Sequence, residues 1–319
     1  MKKIRLSLAT LALCIWLLPV SAEAAECLIP VGQVVGLELR NGTVTVAALE
    51  DTPDSAAKAA GVQVGDVLLA VDGKEVTCGE DVRRALSQSK GSVTLTLRRQ
   101  GEEQTVRLAP QITEDGPKLG VFLRQGVTGI GTVTWYDPQE KTFGTLGHGV
   151  NDGTGSLVRI TGGEAYRARV IAVKKGKVGT PGQLLGTVED LTPIGKLRAN
   201  TDRGVFGNSD RGWQGQPVEL GEARTGKATI LSTVSGNAVR EYSVEILKIY
   251  PKSRQTGRNM LIRVTDPALL ETTGGIVQGM SGSPILQDGK LIGAVTHVLV
   301  NDPTTGYGIF IENMLDAAA

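Results

Sequence analysis

Short runs of alternating apolar and polar residues recur along most of this chain, the period-two pattern of strands buried on one face. Runs at 34–39 and 44–49 flank Asn41-Gly42, which predicts a tight hairpin joining them. A helix over 54–60, closed by Gly61, is predicted next, then a strand, a turn and a second strand over 64–76. Thr77-Cys78-Gly79-Glu80 has the form of a capping box, opening a helix whose buried face carries Val82, Ala85 and Leu86. Runs at 93–98 and 105–108 close this unit as a hairpin. Beyond a polar stretch over 111–119, strand-like runs return at 131–136, 158–160, 168–173, 228–233 and 242–247, and a hairpin is predicted around Asp288-Gly289. Within this second part of the chain, helical periodicity is confined to the tail, 312–318. So many short strands imply a mainly β chain built as a barrel or sandwich.

Composition sharpens this in three ways. With 319 residues there is chain enough for two domains, and 42 glycines against few aromatics point to many turns, not to disorder. Lys2, Lys3 and Arg5, an apolar run over 6–20 and Ala22-Glu23-Ala24 together read as an export signal over 1–24, an uncleaved anchor being the alternative. Without that segment the chain carries 31 basic and 32 acidic side chains and no basic block, so nothing marks it for nucleic acid. Cys27 and Cys78 are the cysteines left, equally consistent with a disulfide and with free thiols, and no Cys/His spacing suggests a metal site or any cofactor.

The candidate chemistry lies in Gln278-Gly279-Met280-Ser281-Gly282-Ser283-Pro284. Glycines on both sides of Ser281 permit a turn that aims the N–H groups of Gly279 and Ser281 at one developing oxyanion. A serine nucleophile needs a base, and His148 and His297 are the two histidines available. His148, between Gly147 and Gly149 at a strand end, suits that task, whereas His297 alternates with apolar residues and reads as a supporting residue. Asp266 in Val264-Thr265-Asp266-Pro267, or Asp152 close to His148, is the candidate for orienting the imidazole. A lysine base such as Lys290 is a further option.

Two resemblances follow from these motifs. The run Ala-Gly-Val-Gln-Val-Gly-Asp-Val-Leu-Leu-Ala-Val-Asp-Gly-Lys-Glu-Val, 60–76, resembles PDZ domains and implies such a domain over 28–112. It further implies a groove that takes an extended peptide or a C-terminal tail, its carboxylate loop at Val35, Gly36 and Leu37. A linker over 113–119 and a trypsin-like β-barrel peptidase domain over 120–319 complete the expected layout. The Leu-Gly-His-Gly, Val-Thr-Asp-Pro, Gly-Gly-Ile-Val-Gln-Gly-Met-Ser-Gly-Ser-Pro and Ala-Val-Thr-His-Val segments together resemble the stage IV sporulation protein B (SpoIVB) peptidases. That resemblance implies a secreted serine endopeptidase with Ser281 as nucleophile, His148 as base and Asp266 as orienting acid. It also implies the space between forespore and mother-cell membranes as its location, and self-cleavage. The implied substrate and partner is a membrane-anchored inhibitor of an intramembrane protease that matures a sigma factor. A non-catalytic PDZ adaptor binding membrane-protein tails is the alternative from another class.

Overall fold

The computed structural model describes residues 27–52, 55–114, 116–152, 155–252 and 257–319. The export signal expected over 1–24 and Asp54 lie outside the described residues. Among them, no helix is long and apolar enough to cross a membrane.

Two antiparallel barrels and one inserted module make up the structure. In the first barrel Val34–Leu49, Val121–Asp137, Thr142–Thr145, Gly204–Asn208, Gln183–Thr201 and Gly162–Lys174 pair in that order, and the last returns to the first. Val35, Leu37, Leu39, Val133, Phe143, Ala165 and Leu197 fill it. In the second barrel Gly226–Ser232, Arg240–Ile249, Met260–Val264, Asp302–Phe310, Lys290–Leu299 and Pro284–Gln287 close in the same way. Its strands bury every other residue, Tyr242, Val244 and Ile246 facing Ile230, Ile262 and Ile285 in one core. The terminal helix Ile311–Ala318, expected from the tail periodicity, buries Ile311 and Met314 among Trp135, Phe206 and Leu291, and so joins the barrels.

The third unit has the PDZ-type order of helix Ala56–Ala59, strand Val67–Val71, helix Gly79–Gln88 and hairpin Val93–Arg99/Glu102–Leu108 around Val46, Leu68, Val82, Leu86 and Leu95. Ser55 caps the first helix by accepting from the Lys58 N–H. The second helix departs from the expected capping box. Cys78 is its N-cap without a side-chain bond, and Asp81, not Glu80, reaches back to the N–H and hydroxyl of Thr77, at 3.0 and 2.9 Å.

The domain boundary differs from the sequence expectation, and the reason is a hairpin that does not form. Residues 34–49 are one continuous strand, so Asn41-Gly42 does not turn the chain back on itself. Its first half pairs with Gly162–Lys174 and its second half meets Val67 and Leu68, while Val121–Asp137 runs beside both halves. The PDZ module is therefore an insertion in the first barrel, entered and left through one two-stranded ribbon, and residues 34–40 belong to the barrel instead of the module. Residues 40–43 bulge opposite Gly126 at the junction. The expected linker forms a short hairpin, Gln111–Thr113 with Gly116–Lys118, and the run at 158–160 forms no ladder.

Gly126 has φ +63°, and a Cβ there would lie 1.7 Å from the Leu39 carbonyl oxygen. Gly126→Ala is expected to lower stability by about 2 kcal/mol or more. Urea unfolding followed by tryptophan fluorescence measures it; an unchanged midpoint would show that the ribbon tolerates a wider bulge.

Candidate active site

The second-barrel loop 279–282 and the end of the first-barrel strand Thr142–Thr145 meet in one cleft of about 490 Å³. Gly279 and Gly282 have φ of +99° and +96°, and a Cβ on Gly282 would stand 2.0 Å from the Thr132 carbonyl oxygen. Only glycine lets the loop lie this close to the first barrel. Three hydrogen bonds cross there. Thr132 N–H donates to Ser281 O at 3.0 Å, Thr132 Oγ1 to Gly279 O at 2.8 Å, and Thr134 Oγ1 to Gly282 O at 2.8 Å. Both threonines are fully buried.

The N–H groups around Ser281 are unevenly used. Those of Gln278, Met280, Gly282 and Ser283 each find a backbone carbonyl, at 2.9, 3.1, 2.8 and 2.9 Å. Among the described residues, those of Gly279 and Ser281 find none. A buried or half-buried N–H without an acceptor is unusual, and two of them beside one hydroxyl suit an anion. Ser281 Oγ itself donates to Thr296 O at 2.8 Å.

His148 follows two residues in left-handed backbone, Leu146 and Gly147, both at φ +69°. A Cβ on Gly147 would come 2.9 Å from Thr296 Cγ2, so glycine brings the histidine loop against the second barrel. His148 Nδ1 lies 2.8 Å from the Gly149 carbonyl oxygen. A carbonyl only accepts, so Nδ1 carries the proton and Nε2 keeps its lone pair. Burial pushes the imidazole below its ordinary pKa, and the Gly149 bond offsets part of that.

His297 does more than brace a strand. Its ring lies 5.1 Å from that of His148, it lines the cleft, and its buried Nδ1 has no partner. Burial, with His148 and Arg258 alongside, holds it down to about 4. Two neutral imidazoles therefore sit side by side at neutral pH.

Two expected sites are corrected. Asp266 does not meet His148. It is the N-cap of the helix Pro267–Thr273, accepting from Leu269 N–H at 3.0 Å and from Ser243 N–H at 3.3 Å. Asp-Pro before an apolar run is also a helix-start signal, with proline in the first turn, and that physical role is the one realised. The alternative acid, Asp152, accepts from Ser156 N–H at 3.1 Å within its own loop. Val35, Gly36 and Leu37 cannot receive a peptide end, because both edges of their strand are taken, by 165–167 on one side and 129–131 on the other. Lys290 is spent on Glu219, 2.7 Å away.

Sequence reasoning missed Thr132, Thr134 and Asn200. Thr132 and Thr134 left a trace, two polar residues spaced by two in an otherwise apolar strand. Asn200, near the end of Gln183–Thr201, bonds Val150 and Val158 in the histidine loop, a contact across fifty residues that no local pattern announces.

Asp266→Ala is expected to cost about 1 kcal/mol of stability through the lost cap, with Asp266→Asn close to wild type in both stability and rate. A rate loss of a thousandfold in Asp266→Asn, measured with an unchanged melting temperature, would restore the carboxylate to the site. The depressed His297 makes a pH prediction. Unfolded, it takes up a proton near 6.5, and folded only near 4, so stability declines as pH falls through that window. The decline between pH 7 and 4.5 should be smaller in His297→Gln, as read from denaturant midpoints; equal declines would exclude His297 as its source.

Family models agree with a PDZ module beside a peptidase domain. A family model for PDZ domains matches residues 52–99. The chain is 42% identical over 81 residues to a putative zinc metalloprotease of Rhizobium meliloti, covering 25% of this chain and 22% of that one. It is 30% identical over 142 residues to a probable periplasmic serine endoprotease DegP-like of Pseudomonas fluorescens, covering 40% of this chain and 29% of that one. It thus spans less than a third of the length of either relative. Among solved structures, the PDZ domain of an SdrC-like protein from Listeria monocytogenes aligns at TM-score 0.23 and 19% identity, over 25% of this chain and 85% of that one. The Rv3671c protease in an inactive form aligns at TM-score 0.35 and 14% identity, over 60% of this chain and 85% of that one. The family model described as SpoIVB peptidase S55 matches residues 115–315, well over half of the sequence, and the chain belongs to that family.

Proposed function

We propose that this chain is an exported serine endopeptidase of narrow selectivity, with Ser281 as nucleophile and His148 as general base. One observation carries this: hydroxyl, imidazole and the two unclaimed N–H groups of Gly279 and Ser281 meet at a single cleft between the barrels. In this mechanism Ser281 Oγ leaves the Thr296 carbonyl and gives its hydrogen bond to His148 Nε2 instead. The oxygen attacks the scissile carbonyl as its proton passes to Nε2, and the resulting oxyanion is held by the N–H groups of Gly279 and Ser281. His148 then protonates the leaving amine, and water, deprotonated by the same imidazole, hydrolyses the acyl-enzyme. Leu37, Ile130, Val277, Val298 and Val300 line the cleft, and no Asp, Glu, Lys or Arg does among the described residues. Such a wall favours an apolar side chain beside the scissile bond.

The family supports a role in sporulation. On that reading the substrate is the ectodomain of a membrane-anchored inhibitor, cleaved between the forespore and mother-cell membranes so that an intramembrane protease matures a sigma factor, and the enzyme also cuts itself. The PDZ module supplies a docking groove, at a different place from the one the sequence suggested. Val121 to Gln125 pair on one edge only, with Val44 to Leu49, and the other edge faces the helix Gly79–Gln88, where Gln125 packs on Gly79. Leu119-Gly120-Val121 at the head of this edge is the carboxylate loop, and an added peptide strand lies along it.

The test uses a fluorophosphonate probe and the inhibitor ectodomain. Wild type is expected to be labelled at Ser281 and to cleave the ectodomain. Ser281→Ala and His148→Ala should each lose activity by a factor of about 10³ or more, since the parts act as one unit. Hydrogen exchange at 119–125 should slow when a docking tail is added. No labelling of the processed protein, with exchange still protected, would leave a PDZ adaptor and no peptidase.

A further inference from the structure

We infer that Asn200 is a positioning residue for His148, acting through the peptide unit between Gly149 and Val150, whose carbonyl oxygen takes the place a carboxylate has in other serine peptidases. The inference rests on His148 being the general base. Three bonds in series carry it. His148 Nδ1 donates to the Gly149 carbonyl oxygen at 2.8 Å. That carbonyl shares its peptide plane with the Val150 N–H, which donates to Asn200 Oδ1 at 2.9 Å. The other end of the same amide, Nδ2, donates to Val150 O and Val158 O, both at 2.8 Å. Both of those partners only accept and Val150 N–H only donates, so the orientation of the amide is fixed by its neighbours.

The physical consequence is polarisation. A peptide whose N–H is engaged has a more negative carbonyl oxygen, because the two groups share one conjugated system. Asn200 therefore strengthens the acceptor that holds His148 in the Nδ1–H tautomer and that stabilises the imidazolium formed during the reaction. It supplies both functions without a formal charge. A carboxylate is absent from the chain of bonds, and the groups beside the ring are uncharged Ser281, Thr296 and His297, with Arg258 as the cation behind His297. Asn200 also ties down both sides of the histidine loop, so its two roles, bracing and polarising, must be separated.

Two substitutions separate them. Asn200→Ala removes acceptor and donors alike. Asn200→Asp keeps an oxygen for the Val150 N–H and removes the two donations. Labelling of Ser281 by a fluorophosphonate is expected to slow about 10- to 100-fold in Asn200→Ala, by analogy with residues that orient a metal-bound histidine, and only a few-fold in Asn200→Asp. Equal slowing in the two, at equal melting temperatures, would reduce Asn200 to a loop brace and overturn the inference. Nitrogen-15 NMR of histidine-labelled protein reads the tautomer directly, the two rings being told apart with His297→Gln. Wild type should show the Nδ1–H form of His148 at neutral pH, and the Val150 amide proton should shift with the His148 titration, since the two share a peptide. These readings need no Asn200 variant to fold, and a Val150 amide indifferent to that titration would also overturn the inference. If the tautomer and the amide shift are as expected while Ser281 is never labelled, the peptidase assignment fails and the bond chain stands.

Discussion

The contact between the strand Val121–Asp137 and the loop 279–282 is the constraint on which the site depends. The proposed nucleophile and the proposed base come from different barrels and can cooperate only if the barrels hold one fixed relation. Burial of apolar surface resists separation of the barrels, yet it is non-directional and leaves sliding nearly free. Thr132 and Thr134 add direction. Their hydroxyls and one backbone N–H take the carbonyl oxygens of Gly279, Ser281 and Gly282 in turn. With those carbonyls bound to the first barrel, the alternating N–H groups of the same loop are left with a defined supply of acceptors. Two of them go without, that of Ser281 itself and that of Gly279 two residues before it. Order in the loop is thus inherited from a strand about 150 residues earlier in the chain.

Electrostatics at the cleft differ from the arrangement a conventional catalytic triad would suggest. Asp266 is used by a helix end, and the imidazole leans on a main-chain oxygen instead. A dipole stabilises a positive ring less than a full charge does, and burial works against that ring as well. In the proposed role His148 is consequently a weaker base than a carboxylate-paired histidine, and His297 beside it adds no negative charge. The proposed narrow selectivity fits such a site, since docking and orientation of the substrate can supply what intrinsic reactivity lacks.

Much of this was legible in the sequence, and the misses share a cause. Period-two alternation exposed the strands, and the turn glycines exposed Ser281 and His148, because both signals are local. Residues 34–40 were misassigned because Asn41-Gly42 is a local hairpin signal that lost to long-range pairing. The strand Val121–Asp137 offers a partner to both halves of Val34–Leu49 at once, and the dipeptide is accommodated as a bulge. Asp266 illustrates an ambiguity of chemistry: the carboxylate that would orient an imidazole is the same group that caps a helix, and only the position of Leu269 N–H decides between them. Asn200 was invisible because it acts on a loop fifty positions away, and nothing in its own neighbourhood is unusual.

The two-stranded ribbon that joins the PDZ module to the first barrel has one further consequence. A domain tethered by a single linker swivels, and news of an occupied groove is lost in that freedom. Here the strand whose bare edge fronts the helix Gly79–Gln88 is also the strand that carries Thr132 and Thr134, with no joint but the bulge at Gly126 between them. Twisting one end of a paired ribbon turns the other. The proposed peptide-docking edge and the threonines that hold the loop 279–282 thereby lie on the same seventeen residues of backbone.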